Sequence, residues 1–311
     1  MDRLVTLFGG GGFLGRYVAQ ELLKAGARIR VAERDPKNAW FLKPLGGLGQ
    51  TQFVAADIRD AESARRAVAG SQAVVNLVGI LKGDFAAFHV AGARHVAAAA
   101  KVAGADTLVH VSAIGADAEA ESAYARTKGE GEAAVRGAFP AATIVRPSIV
   151  FGPEDAFVNR FAALARMAPL LPVIRPQVKF QPVYVTDVAR AIAAAALDPE
   201  AHAGKTYELG GPQRLTMAEL NAWIAEATGH HPLIVPVPDM AAKLMARFGG
   251  WAPGAPITWD QWLMLQRDNV VAAGAAGFEA FDIAPTPLAA VAPGWLVRFR
   301  RHGRFDRHTA A

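Results

Sequence analysis

Two sets of residues in this 311-residue chain have the types and spacing to do chemistry. The first is Gly9-Gly10-Gly11-Gly12-Phe13-Leu14-Gly15, which follows the apolar run Leu4 to Phe8 and opens a helical pattern from Arg16 to Ala25. Glycines at 9, 12 and 15 permit a tight turn, a close approach of backbone to a diphosphate, and packing of helix on strand. The amides of the helix start, around Phe13 and Leu14, then face an anion together with the positive end of the helix dipole. The second set is Tyr124 and Lys128, four residues apart and therefore on one helix face. An ammonium beside a phenol stabilises phenolate, lowering a pKa that starts near ~10 and fitting the tyrosine for proton transfer near neutrality. The same lysine can bind a nicotinamide ribose.

Two further positions bear on a nucleotide. Glu33 and Arg34 close the second apolar run, Ile29 to Ala32. An acidic residue there takes the adenosine ribose hydroxyls, whereas an arginine accommodates a 2′-phosphate, and the chain offers both. Asp57 follows the run Gln52 to Ala55, where it can accept from an adenine amino group with Ile58 packed on the ring, or cap the next helix.

These residues need a scaffold, and the rest of the chain supplies its pattern. Apolar runs at Ala73 to Val78, ending at Gly79, at Thr107 to Val111 and at Ala142 to Val145 alternate with helical stretches to Ala69, over Phe85 to Ala103 and over Tyr124 to Ala138. This βαβ rhythm predicts an α/β fold: a Rossmann-like, doubly wound parallel sheet with a smaller C-terminal α/β lobe. The expected dinucleotide-binding domain is 1–152, with 183–200 returning to it, and the smaller substrate or docking lobe is 153–311. Thr216 and Glu219 predict a capping box; Asp155 and Asp187 are expected to cap helices.

Composition narrows the class. A hydrophobic content of 52% fits a folded globule, and no apolar stretch is long enough to cross a bilayer. The first strand begins almost at once, leaving no room for a signal peptide. The absence of cysteine excludes disulfides and thiolate chemistry and agrees with a reducing, cytoplasmic setting. The eight histidines lack metal-ligand spacing, so no metal is expected. The formal charge of +5 is crowded at the end, in Arg298, Arg300, Arg301, Arg304 and Arg307, a tail that can meet anionic lipid or an acidic protein, or remain a solvated terminus. No basic stripe or stacking motif points to nucleic acid. Trp251, Trp259, Trp262 and Trp295 form either the core of the small lobe or a docking patch.

With these residues in view, the chain resembles the extended and atypical short-chain dehydrogenase/reductases, through Gly9-x-x-Gly12-x-x-Gly15, Asp57-Ile58, Val78-Gly79, Val111-Ser112-Ala113, Tyr124-x-x-x-Lys128 and Arg146-Pro147-Ser148. The runs from Arg146 to Asp155, Gln181 to Ala189 and Asp268 to Val271 are similar to the nucleotide-binding accessory subunit family of respiratory complex I (NADH:ubiquinone oxidoreductase) and its bacterial relatives. The resemblance implies adenine at Asp57, diphosphate at Gly12 to Gly15 and nicotinamide near Tyr124, Lys128 and Pro147. It favours NADP(H), while Glu33 keeps NAD(H) open. It also implies a structural or assembly role beside complex I subunits or in quinone metabolism, peripheral at the inner face of the inner membrane. Active members place a serine or threonine after the first serine; this chain has Ala113 there, and the adjacent Ser112 points to the opposite strand face. Loss of that donor costs ~10²-fold or more in rate. An active oxidoreductase or epimerase on a sugar-nucleotide, quinone-like or isoprenoid substrate is the alternative, and a redox-sensing binding protein a third.

Overall fold

The computed structural model describes residues 3–250, 252, 255, 257–301 and 303, so Trp251, Arg304 and Arg307 lie outside the described residues. The chain divides into two compact units. The first comprises Met1–Pro147, Val185–Leu209 and Ala272–Ala284; the second comprises Ser148–Tyr184, Gly210–Val271 and Pro285–Ala311. The division thus falls at Pro147, ahead of the sequence-based boundary at 152, and the first unit regains the chain twice.

The first unit is built on strands β1 (Leu4–Phe8), β2 (Arg28–Glu33), β3 (Thr51–Ala55), β4 (Ala73–Asn76), β5 (Thr107–Val111) and β6 (Thr143–Pro147). They form one parallel sheet, in the order Thr206–Leu209, β6, β5, β4, β1, β2, β3. β4 and β5 are buried along their whole length, as expected of strands covered on both faces. Helices α1 (Phe13–Lys24), α2 (Ala61–Val68), α3 (Ala93–Val102) and α4 (Ala123–Ala138) make the crossovers. α3 packs between α2 and α4, and α1 packs along Val185–Leu197. The alanines that crowd these helices allow close packing: Ala93, Ala97 and Ala100 are buried against Val74, Leu108 and Ile144 of the sheet. The fold is therefore α/β and Rossmann-like, with a crevice where the chain reverses direction between β1 and β4.

Residues Ala86–Gly92, ahead of α3, form a wide π-helical turn where the sequence predicts an ordinary helix. Asp187 lies in the first turn of Val185–Leu197, buried and 3.9 Å from Arg190, rather than at a cap.

The second unit has short strand pairs, among them Leu170–Ile174 with Leu233–Val237. Its helices Val158–Met167 and Met217–Ala227 share a core with Phe151, Leu288 and Leu296, on whose edge Trp295 packs. Trp262 is buried beside Ala242, Ala246 and Ile257, so these tryptophans serve the core. Thr216 and Glu219 form the capping box that their spacing predicts. Asp155 accepts the amide of Val158 at 2.6 Å, holding the start of its helix. Arg298 donates to Pro153 O and Arg300 to Ala227 O, so these two basic residues are tied to carbonyls of their own unit.

Candidate functional site

The glycine turn joins β1 to α1 at the open end of the crevice. Gly9 has φ +81°, a left-handed conformation in which a side chain is strained. A Cβ at Gly15 would meet Gly9 O at 2.2 Å, so helix and turn can close only on a glycine. α1 starts directly after Gly12 with no side-chain cap, and the Arg16 amide makes the bond to Gly12 O. The amides of Phe13, Leu14 and Gly15 stand ahead of that bond, in the first turn of the helix.

Glu33 ends β2 and turns back to this loop: its Oε1 accepts the Gly11 amide at 2.7 Å. Burial raises its carboxyl above the usual range, opposed by the Gly11 amide and by Arg34. The Arg34 guanidinium lies 5.9 Å from the Phe88 ring centroid, and that of Arg59 lies 4.9 Å from the same ring. Arg59 also grips Asp57 through two nitrogens, at 2.6 and 3.0 Å, holding that carboxyl below its usual range. Asp57 is not the cap of α2; Asp60 is, accepting the Glu62 amide at 3.0 Å. Ile58 is buried against Gly92, and its carbonyl is 2.9 Å from His95 Nδ1.

On the other side of the crevice, β4 ends in Asn76, whose Oδ1 accepts the Val78 amide at 3.2 Å and whose amide group meets His110 Nδ1 at 3.2 Å. A Cβ at Gly79 would lie 3.3 Å from Lys128 Nζ, so Val78-Gly79 and the lysine are neighbours. Lys128 is buried and donates to Val111 O at 3.1 Å. Desolvation lowers it to about 8, with Glu132 acting in the opposite sense. Tyr124, one turn earlier on α4, is half-buried with its ring edge-on to Phe85 and His89. Ser112 Oγ is buried without a hydrogen-bond partner. Ala113, half-buried, follows it, and the Pro147 carbonyl accepts the Ile114 amide at 3.1 Å. The structure thus places Gly9 to Gly15 at the head of α1, Glu33 and Arg34 with Asp57 and Arg59 at the ends of β2 and β3, Lys128 beside Gly79, and Tyr124 against Phe85 and His89.

Sequence patterns did not single out His89, Thr127, Phe85, Phe88 or Arg59. His89 Nε2 accepts the Ile80 amide at 3.1 Å, so Nδ1 carries the proton toward Thr127 Oγ1 at 3.0 Å. It ties the loop after β4 to the helix that carries Tyr124 and Lys128. Desolvation, then Lys128, lowers its pKa to about 4, so the ring is neutral at pH 7. The π-helical turn sets this register, and nothing in the spacing of apolar residues announces it. Arg59, two residues after Asp57, was open to recognition as a chelating partner. Among the described residues no group of histidine and carboxylate side chains could hold a metal ion.

Comparison with known proteins places this geometry in a family. The family model described as "NAD dependent epimerase/dehydratase family" matches residues 5–210. The chain is 36% identical over 293 residues to mouse (Mus musculus) "NADH dehydrogenase [ubiquinone] 1 alpha subcomplex subunit 9, mitochondrial", covering 92% of this chain and 77% of that one. It is 31% identical over 243 residues to a "Ceramide reductase" of Caulobacter vibrioides, covering 76% of this chain and 74% of that one. Among solved structures, an NADPH-dependent quinone oxidoreductase of Escherichia coli complexed with NADPH shares the fold, with TM-score 0.77 and 21% identity over 94% of this chain and 99% of that one. The chain belongs to the NAD dependent epimerase/dehydratase family.

Proposed function

We propose that the first unit binds NADPH as a long-lived structural ligand and that the protein serves NADH:ubiquinone oxidoreductase as an accessory or assembly subunit. The observation that carries the cofactor choice is the engagement of Glu33 by the Gly11 amide at 2.7 Å. A carboxylate with one oxygen committed to the glycine turn has only the other left for the ribose hydroxyls. Arg34, close to the Phe88 ring, then supplies positive charge for a 2′-phosphate, and Arg59 beside the same ring would add to it on release from its ion pair with Asp57. The amides of Phe13, Leu14 and Gly15 would take the diphosphate. Lys128 would take the nicotinamide ribose, between Val78-Gly79 and Pro147, with Tyr124 close to the ring and Ile58 near the adenine. The bound group itself is a hydride carrier.

The oxidoreductase role rests on the mouse relative, a named subunit of an NADH dehydrogenase, with which this chain aligns over most of both lengths. A structural rather than turning-over ligand fits Ala113, which offers no donor at the position expected to hold a reacting oxygen. The same reading puts the protein at the inner face of the membrane that carries the oxidoreductase; no helix among the described residues is long and apolar enough to cross it. Denaturing gently purified protein and identifying the released nucleotide by mass spectrometry tests the reading. Near-stoichiometric NADPH is expected, and co-purifying oxidoreductase subunits support the partner. NADH instead overturns the cofactor choice.

A second reading, an active reductase, is favoured by one observation: the chain carries the Tyr124 and Lys128 pair, with buried Lys128 held to Val111 O at 3.1 Å. Turnover on a panel of carbonyl and quinone substrates, abolished by Tyr124→Phe, establishes it.

A further inference from the structure

The second unit carries a helical segment whose exposed side does not look like the surface of a water-bounded protein. Residues Asp239–Leu244 and Met245–Gly249 run on as one helix, the latter part with a π turn. Ala242 and Ala246 fix its inner side, buried with Ile257 and Trp262. At four-residue steps on the outer side stand Met240, Leu244 and Phe248, which are 70%, 50% and 70% exposed. Three large, flexible apolar side chains in one row exceed the scattered singles that an ordinary surface carries.

Lys243 and Arg247 run parallel to this row, each one residue before an apolar member, and both are exposed. The Arg247 guanidinium lies 5.3 Å from the ring of the half-buried Trp259. The one carboxylate of the segment, Asp239, is neutralised by Arg175 at 2.7 Å. Charge on the larger scale agrees. Among its described residues the second unit holds 11 Lys and Arg against 7 Asp and Glu, a formal excess of +4.

We infer that the segment 239–249 is an interfacial helix that lies in the surface of an anionic lipid bilayer, with Met240, Leu244 and Phe248 among the acyl chains and Lys243 and Arg247 at the phosphates. A stripe of cations beside a stripe of apolar side chains, with a tryptophan at the border, is the pattern that a headgroup boundary rewards. Met245, 41% exposed, widens the apolar face beside Leu244, and the exposed cations flanking that face are what favour a headgroup boundary over a groove on a partner protein. The inference goes beyond the dinucleotide reading and does not depend on it.

Flotation of the full chain with vesicles of phosphatidylcholine alone, and with one quarter phosphatidylglycerol, at physiological salt tests it. The native chain is expected to float with the anionic vesicles. The triple variant Met240→Ser, Leu244→Ser, Phe248→Ser is expected to lose at least ~10-fold in partition, and Lys243→Gln with Arg247→Gln to lose the preference for anionic lipid. Circular dichroism of every variant is expected to keep the native spectrum, so that a loss of flotation reports the surface and not unfolding. A chain carrying Leu244→Trp should show blue-shifted emission quenched by brominated lipid. Native protein that stays with the aqueous phase, flotation undiminished in the triple variant, or emission indifferent to brominated lipid overturns the inference. Loss of a soluble complex in the triple variant, with no vesicle binding by the native chain, also overturns it and assigns the row to a protein partner.

Discussion

Glu33 Oε1 accepts the Gly11 amide at 2.7 Å, so the acidic side chain that closes β2 is part of the turn at the head of α1. Removing it should loosen the turn for any dinucleotide. Glu33→Ala is expected to weaken NADPH and NADH alike, by about 10-fold, the worth of one charge-assisted bond. Glu33→Gln, which keeps an acceptor for Gly11, should bind NADPH nearly as the native chain does. Fluorescence titration of both nucleotides checks this; a loss confined to NADH would show that Glu33 holds the ribose instead.

Arg146 donates to both oxygens of Glu132, at 2.8 and 2.6 Å, and to Glu208 at 3.4 Å. Glu132 is buried, so Arg146→Ala strands a carboxylate that water cannot reach. The expected cost is about 3 kcal/mol, read as a lowered urea midpoint with an unchanged slope. Arg146→Lys should recover part of it but not the two-pronged geometry.

Burial gives the site a pH signature. His89 is lowered to about 4 and His110 to about 3, from an ordinary 6.5. Between those values the unfolded chain holds more protons, so stability is full above pH 6.5 and falls as pH drops toward 4. Lys128, lowered to about 8 from 10.5, acts at the other end: its burial penalty is full below pH 8 and is relieved as pH rises toward 10.5. Chemical denaturation across pH should show native stability declining from pH 6.5 to 4 more steeply than that of His89→Gln. Equal slopes in the two proteins would remove His89 from the account.

What was legible in the sequence was what local spacing encodes. The glycines at 9, 12 and 15, the alternation of strands and helices, and the one-turn offset of Tyr124 and Lys128 are periodic features, and the sheet order and the neighbours of Lys128 follow them. The partners of the charged residues were not legible. Whether Glu33 meets a ribose or the Gly11 amide, and whether Asp57 meets an adenine or Arg59, depends on distances of a few ångströms set by packing. The π turn at Ala86–Gly92, which brings His89 to Ile80 and Thr127, leaves no trace in the apolar period. The return of Ala272–Ala284 to the first unit is equally silent, since it rests on long-range contacts such as the Ala272 amide to Glu208 at 2.9 Å.

Under the active-reductase reading Tyr124 should matter to turnover and not to holding the ligand. Tyr124→Phe keeps the ring against Phe85 and His89, so its NADPH affinity is expected within about 2-fold of native. Lys128→Met, which removes the buried ammonium and its bond to Val111 O, is expected to weaken NADPH by at least ~10-fold while leaving the fold intact. Paired titrations of the two variants check the distinction; equal losses would show that the tyrosine also holds the cofactor.

Selection of NADPH by the turn before α1 and the arginines beside Phe88 is the proposal most open to direct test. Calorimetric titration of nucleotide-free protein with NADPH and with NADH tests it most directly, in the native chain and in Arg34→Ala with Arg59→Ala. Native protein is expected to bind NADPH at least ~10-fold more tightly than NADH, and the double variant to bind the two equally. Folded native protein that binds neither nucleotide at millimolar concentration, or that prefers NADH, contradicts it.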